Sequence, residues 1–180
     1  IPLRLGEEVF EEGRISKKKT EQFIDCIQAF KLIAHIFEVE QLRAVATSAM
    51  REAKNGQKVQ EKIKQKTGVN IEIISGQTEA ELIVGTFFLV DFDKSHPFIV
   101  IDVGGGSTEI SVFENGQKRA SRSFEIGTIR ALKGKVSKKI WTDISTWIAA
   151  EVDASIPHRL FGTGGNINKI HKIVGLKDKD

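Results

Sequence analysis

The fold is decided by a stretch near the middle of the chain, Phe98-Ile-Val-Ile-Asp-Val-Gly-Gly-Gly-Ser-Thr-Glu109. Its first four residues are a continuous apolar run of the kind found in buried strands. Three glycines follow, and then Ile110 and Val112 alternate with polar residues, which predicts a second, half-buried strand. The dipeptide Asn115-Gly116 is typical of a hairpin turn. We therefore expect an antiparallel meander built around a glycine turn.

The glycine turn has the composition of an anion-binding loop. Asp102 is predicted to lie at the C-terminal end of the first strand, where side chains of α/β sheets meet ligands. Glycines let backbone N–H groups approach a polyanion because no Cβ intervenes, and hydroxyls add donors. The residues that offer these groups are Gly104, Gly105, Gly106, Ser107 and Thr108. A Walker loop is excluded because its lysine is absent, and a dinucleotide-binding loop because a strand follows. A glycine-rich hairpin without a ligand is the alternative, but the flanking Asp102 and Glu109 favour phosphate.

Outside this stretch, predicted strands and helices alternate, which indicates an α/β protein. We expect Leu3–Gly6 to be the end of a strand, a turn to reach Gly13, and a long helix to start at Ser16. Another helix is predicted to run through Val84 and Phe88. The polar segment Asp91–Pro97 then predicts a boundary between two lobes, 1–93 and 94–180.

Three further features are candidates for function. In Ser75-Gly-Gln-Thr-Glu79-Ala-Glu81 a strand passes into a helix. Thr78 and Glu81 fit a capping box, whereas Glu79 fits a partner of the helix dipole or a functional carboxylate equally well. A second glycine loop runs from Gly162 to Gly165. Arg51 fits a solvated helix residue or a functional cation equally well.

Composition limits the partners and the cellular location that we expect of this protein. A net charge of +3 on 180 residues does not suit a protein that coats nucleic acid, so affinity for an acidic substrate must come from a local site. One cysteine, Cys26, fits a reducing cytoplasm. The stretch Leu82–Val90 is too short to span a bilayer, and we see no signal peptide. The opening Ile1-Pro2 reads as the middle of a protein, so we expect further sequence upstream.

Four motifs, in order along the chain, carry a resemblance to a known family. They are Ala46-Thr-Ser-Ala-Met-Arg51-Glu-Ala, Ile73-Ile-Ser-Gly-x-x-Glu79-Ala, Val100-Ile-Asp-Val-Gly-Gly-Gly-Ser-Thr-Glu109 and Gly162-Thr-Gly-Gly165. Together they resemble the signatures of the exopolyphosphatase/guanosine pentaphosphate phosphohydrolase (Ppx/GppA) family. The resemblance implies an actin-like ATPase (ribonuclease-H-like) fold of two lobes, with the active site in the cleft between them. It also implies that the first strands of lobe I, with their phosphate-loop hairpin, are missing, so we expect this chain alone to be inactive.

The resemblance assigns roles by motif position. It implies that Glu79 is the catalytic base that aligns water, that Glu109 is a second catalytic acid, and that Asp102 binds Mg²⁺ or Mn²⁺. The residues expected to bind phosphate are Arg51, Gly104, Gly105, Gly106, Ser107, Thr108, Gly162, Thr163, Gly164 and Gly165. Phosphoryl transfer needs chiefly positioning and charge neutralisation, which this set would supply.

The expected activity is hydrolysis of terminal phosphate from inorganic polyphosphate. Guanosine pentaphosphate is the alternative substrate, because the same residues serve both. A non-catalytic sensor of polyphosphate or an alarmone is a further alternative, although it has no need of Glu79. An ATP-driven kinase or chaperone of this superfold is disfavoured, because we find no helical adenosine-binding segment beyond the Gly162 loop. We expect no nucleic acid or membrane partner, and the resemblance allows a homodimer.

Overall fold

The computed structural model describes residues 1–87, 89 and 92–174. Contacts divide the chain into two compact units, Ile1–Ser75 and Gly76–Asp180. The N-terminal unit contains the helices α1 (Leu5–Glu12), α2 (Lys17–Ile36), α3 (Ser48–Glu52) and α4 (Gly56–Thr67). Two short strands, β1 (Ala44–Ala46) and β2 (Ile71–Ile73), pair in parallel.

The first element corrects the sequence expectation. Residues Leu5–Glu12 form α1, so the strand end and turn predicted before Gly13 are wrong. Two acidic residues in the first turn complement the helix dipole, and Val9 and Phe10 are buried. The helix ends at Gly13, whose φ of 73° suits glycine and whose N–H donates to Val9 O.

The long helix α2 begins where the sequence predicts. Its N-cap is Ser16, whose Oγ accepts a hydrogen bond from Lys19 N at 3.1 Å. Glu8 on α1 accepts from both the backbone N–H and the hydroxyl of Ser16. The start of α2 is therefore held by α1 as well as by its own cap.

The C-terminal unit is built on one mixed sheet. Among the described residues its strands are β3 (Phe98–Val103), β4 (Thr108–Glu114), β5 (Gln117–Phe124) and β6 (Arg159–Thr163). Their order is β5-β4-β3-β6, with β3 antiparallel to β4 and parallel to β6. The predicted meander is thus confirmed. The helices of this unit are α5 (Gly76–Phe87), α6 (Thr128–Leu132), α7 (Lys138–Glu151) and α8 (Gly165–Val174).

Apolar side chains pack on each face of this sheet. On one face Phe98, Val100 and Phe113 pack with Val84 of α5. On the other face Ile110 and Phe124 form a cluster on which apolar side chains of α7 pack, namely Ile140, Ile144, Trp147 and Ile148. Phe98 and Phe113 are wholly buried. The strand alternation therefore separates an α5 side from an α7 side.

The boundary between the compact units, after Ser75, lies earlier in the chain than the boundary expected between the lobes, after residue 93. Helix α5 packs against β3, β4 and β5, and it therefore belongs to the C-terminal unit together with Glu79. The lobe boundary after residue 93 stays a prediction. Phe88 and Asp91, which the sequence assigns to the end of a helix and to the connector, lie outside the described residues, as does the end of the expected range 94–180 beyond Val174.

Candidate phosphate-binding site

A row of four polar side chains crosses the sheet at the C-terminal end of β3. Strand register places Asp102 opposite Glu109 on β4 and opposite Thr163 on β6. Glu109 is in turn opposite Ser123 on β5. Residues directly opposite each other on neighbouring strands project from the same face. We call this set, in the order Thr163, Asp102, Glu109 and Ser123, the carboxylate row.

Each carboxylate of the row accepts a hydrogen bond from the hydroxyl on its outer side. Thr163 Oγ1 donates to Asp102 Oδ1 at 2.5 Å, and Ser123 Oγ donates to Glu109 Oε1 at 2.7 Å. Glu109 is only 3% exposed, whereas Asp102 is partly exposed. Two like charges directly opposite each other on adjacent strands repel. A cation bound between them would remove that repulsion.

The glycine turn, residues Gly104–Ser107, follows the row directly. Gly104 N donates to Ser107 O at 3.0 Å and closes the turn. The N-terminal residues of α6 bind its carbonyls: Thr128 N donates to Gly104 O, and Ile129 N donates to Gly105 O at 2.9 Å. The turn is therefore fixed from one side by the start of α6.

The direction of these carbonyls sets the direction of the amides. In a planar trans peptide the N–H points opposite to the C=O. Because the carbonyls of Gly104, Gly105 and Gly106 are bonded to α6, the N–H groups of Gly105, Gly106 and Ser107 face away from it. Successive N–H groups that point the same way form an anion-binding concavity. The glycine turn has this arrangement beside Asp102.

Close packing behind the turn requires glycine at one position. A Cβ added at Gly127, the residue before α6, would lie 2.4 Å from Gly105 C and 2.5 Å from Gly106 N. Thr108 also supports the turn, because its Oγ1 donates to Ile126 O at 2.6 Å. This hydroxyl, which we expected to bind phosphate, is thus engaged within the protein as a donor.

The second glycine loop lies against Asp102. Gly164 has a φ of 99°, and a Cβ there would lie 2.6 Å from Val103 O and 3.3 Å from Asp102 Oδ1. Asn166 Nδ2 donates to Thr128 Oγ1 at 2.9 Å, which links this loop to the start of α6. The structure therefore brings Gly162–Gly165 and the glycine turn to the same strand end.

Glu79 lies in the first turn of α5, on the α5 side of the sheet. A Cβ added at Gly76 would lie 2.5 Å from Ser123 Oγ and 3.7 Å from Glu109 Oε1. Glu79 shares a helix face with Gly76 because the two are three residues apart. Buried Ala80 continues that face, and Oε2 of both Glu79 and Glu109 is buried. The first turn of α5 is therefore held against the Glu109 end of the carboxylate row.

Arg51 lies in the N-terminal unit, on α3. Its Nη1 donates to Ile74 O, just beyond β2, at 2.6 Å. This bond holds the arginine against the end of the parallel strand pair. Its expected role at the phosphates stays a prediction.

The donor set at the strand end suits a magnesium ion. Mg²⁺ is usually bound by one or two carboxylates, with substrate phosphates and water as the other ligands. Asp102 and Glu109 supply two carboxylates on one face. Within the described residues no cluster of three or more His, Cys, Asp or Glu side chains could form an all-protein cage.

Several residues of this site were missed in the sequence. Ser123 on β5, and Gly127, Thr128 and Arg130 at the start of α6, hold the row or the turn, but the sequence analysis assigned them no role. The register of β4 with β5 places Ser123 opposite Glu109. The Gly127-Thr128 pair, shortly after the third strand of the meander, was the available signal.

Comparison with known proteins shows the family of this chain. The model of the Ppx/GppA phosphatase family matches residues 2–156. The chain belongs to the Ppx/GppA phosphatase family. The resemblance seen in the four motifs is confirmed.

Relatives of this Ppx/GppA chain include two curated enzymes. It is 33% identical over 131 residues to exopolyphosphatase 1 of Mycobacterium tuberculosis (strain ATCC 25618 / H37Rv), covering 71% of this chain and 37% of that protein. It is 30% identical over 132 residues to guanosine-5'-triphosphate,3'-diphosphate pyrophosphatase of Aliivibrio fischeri (strain ATCC 700601 / ES114), covering 73% of this chain and 26% of that protein. The chain thus spans less than two fifths of either relative.

A solved family member supports the expected fold. The crystal structure of the Aquifex aeolicus Ppx/GppA protein superimposes with a TM-score of 0.68 at 26% identity, over 99% of this chain and 60% of that one. The fold of the Ppx/GppA family, which the resemblance describes as actin-like, is thereby confirmed for this chain. None of its described helices combines the length and apolar character that a membrane span needs.

Proposed function

We propose that the protein containing this chain hydrolyses the terminal phosphoanhydride bond of inorganic polyphosphate. The observation that carries the proposal is the glycine turn, whose amides face away from α6 beside two carboxylates on one sheet face. Backbone amides in this arrangement suit a phosphoryl group. Carboxylates at the same place suit the metal ion that such a group brings.

Each residue of the site has a separate role in the proposed reaction. The amides of Gly105, Gly106 and Ser107 hold the phosphate to be transferred. Asp102, braced by Thr163, holds Mg²⁺ or Mn²⁺, with Glu109 beside it. The ion would neutralise charge on the phosphates. Glu79, in the first turn of α5, orients the attacking water. The contact of Arg51 with the phosphates, which the family resemblance implies, stays a prediction.

Two alternatives share this site. Guanosine pentaphosphate carries the same terminal phosphate, and one relative is named for a guanosine polyphosphate. A sensor that binds without turnover would use the same amides but not Glu79. The relative named exopolyphosphatase is the more similar of the two, which favours polyphosphate.

We infer a cytoplasmic location from the single cysteine, Cys26, whose thiol is free and buried. The absence of nucleic acid and membrane partners, and the homodimer, stay predictions.

The test compares two glutamates of α5 in the full-length protein. Orthophosphate release is measured from long-chain polyphosphate and from guanosine pentaphosphate, with Mg²⁺ and after its removal by a chelator. Glu79→Gln should lower release by about 10²- to 10⁴-fold, because a positioned base contributes about that much. Polyphosphate binding should persist. Glu81→Gln is the matched control, since Glu81 is exposed and pairs with Lys118.

The outcomes separate the candidates. Loss of release in Glu79→Gln alone, with metal dependence, supports the hydrolase. Binding without turnover in the wild type would support the sensor and contradict the hydrolase. Equal rates in wild type and Glu79→Gln would remove Glu79 from the reaction.

A further inference from the structure

A charged side chain is buried directly behind the glycine turn. Arg130, the third residue of α6, is only 8% exposed, and its Nε donates to Gly106 O at 2.7 Å. Arginine is almost never buried unless it is paired. Neither the four motifs nor the roles assigned above use this residue.

Arg130 completes a set of contacts on three consecutive carbonyls. Backbone N–H groups at the start of α6 bind Gly104 O and Gly105 O, and Arg130 N itself donates to Gly105 O at 3.1 Å. The third carbonyl, Gly106 O, is bound by the arginine side chain. Glycine peptides rotate easily because they lack a Cβ. Of these three peptides, the one between Gly106 and Ser107 is therefore held by the Arg130 guanidinium, and the other two by backbone N–H groups of α6.

The peptide in question presents the N–H of Ser107. Because its C=O points at Arg130, that N–H points the opposite way, with the other free-facing amides of the turn. A charged donor on the carbonyl also polarises the peptide, and hydrogen bonds in a chain strengthen one another. Arginine keeps its charge at every relevant pH. The positive charge therefore lies one peptide unit behind the place where an anion would bind.

We propose that Arg130 is a positioning residue for phosphate: it orients and polarises the Gly106–Ser107 peptide without touching the substrate. This inference rests on the function proposed above. It differs from the role expected of Arg51, whose guanidinium would meet the phosphates directly. The competing explanation is that Arg130 only anchors α6 and contributes to stability.

The experiment measures phosphate recognition and stability separately in full-length protein. Arg130→Gln removes the charge and keeps a donor, whereas Arg130→Lys keeps the charge and loses the planar Nε donor. Arg122→Gln is the matched control, because Arg122 is exposed on β5 over the ring of Phe124. Readouts are kcat and KM for tripolyphosphate with Mg²⁺, the Kd of orthophosphate as a competing ligand, and Tm.

We expect Arg130→Gln to raise KM and the orthophosphate Kd by about tenfold, the effect of losing a charge-assisted hydrogen bond. The turnover number should change much less, because the amides bind phosphate in the ground state and in the transition state alike. Arg130→Lys should recover part of the loss through its charge. Arg122→Gln should match the wild type in every readout.

The result that overturns the proposal is a lower Tm for Arg130→Gln with KM and Kd unchanged. If both Arg130 variants fail to fold, the Ser107 amide is followed by NMR in wild-type protein titrated with orthophosphate. A shift at the Ser107 amide together with one at Arg130 Nε–H then supports the proposal, whereas a shift at Ser107 that leaves Arg130 Nε–H unchanged overturns it. Wild-type protein that neither binds nor cleaves tripolyphosphate would refute the proposed function itself, and this inference with it.

Discussion

Two carboxylates on neighbouring strands, Asp102 and Glu109, each accept a hydrogen bond from a hydroxyl beside them. The Ser123–Glu109 contact is the more buried of the two. A buried carboxylate that loses a donor keeps its desolvation penalty. At the residue scale, the stability of the carboxylate row therefore depends on the hydroxyls of Thr163 and Ser123.

Replacing Ser123 tests this dependence. Ser123→Ala should lower the free energy of unfolding by about 1–3 kcal/mol, because a hydrogen bond to a charged acceptor is lost. Ser121→Ala removes the neutral contact between Ser121 and Ser111 on the same face and should cost only about 0.5–1.5 kcal/mol. Urea denaturation followed by tryptophan fluorescence reports on this unit, because Trp141 and Trp147 both lie on α7. A larger effect for Ser121→Ala would contradict the account.

The backbone of Gly127 leaves no room for a side chain beside the glycine turn. Gly127→Ala should displace the turn, because its Cβ would clash with backbone atoms of Gly105 and Gly106. We expect a lower Tm and reduced orthophosphate release in the full-length protein. Gly85→Ala is the control, because nothing lies within 4 Å of its added Cβ. Alanine inside a helix should raise the free energy of unfolding by about 0.5–1 kcal/mol relative to glycine. Unchanged activity in Gly127→Ala would show that the turn tolerates a shift.

At the scale of elements, the sequence predicted the β3–turn–β4–β5 meander because two local signals agree. The apolar alternation sets which side chains face inward, and Asn115-Gly116 sets the hairpin. The glycine turn Gly104–Ser107 joins β3 to β4, and the register of these two strands pairs Asp102 with Glu109.

The role of α6 could not be predicted in the same way. The carbonyls of the glycine turn meet residues about 25 positions later, and this contact exists only once β4 and β5 have paired. Arg130 carries no local signal of burial, because charged residues are exposed in most contexts. Helix α1 was missed for a related reason: its buried apolar side chains are only Val9 and Phe10, too few to show helical periodicity.

The start of α2 offers a test at this scale. Ser16→Ala removes the cap on Lys19 N and the hydroxyl contact with Glu8, and it should cost about 1–2 kcal/mol. Ser137→Ala removes the exposed cap of α7, whose hydroxyl makes no contact comparable to that of Ser16 with Glu8 in the described part of the chain, and should cost less. Hydrogen exchange at the first amides of α2 and α7 measures both. Equal effects would contradict the added contribution of Glu8.

At the scale of the whole molecule, the residues that the sequence predicted for function belong to two compact units. Asp102, Glu109, Glu79 and both glycine loops belong to Gly76–Asp180, whereas Arg51 belongs to Ile1–Ser75. The sequence placed Glu79 in lobe I because the polar connector Asp91–Pro97 follows its helix, and that lobe boundary stays a prediction. In the structure α5 packs on β3, β4 and β5 and groups with the C-terminal unit.

The most direct test of the central claim is a crystal structure of the full-length Glu79→Gln protein with Mn²⁺ and tripolyphosphate. The account predicts anomalous density for the metal about 2 Å from a carboxylate oxygen of Asp102. It also predicts phosphate oxygens about 3 Å from the backbone nitrogens of Gly105, Gly106 and Ser107. Tripolyphosphate bound elsewhere, or a turn whose amides point back toward α6, would contradict it.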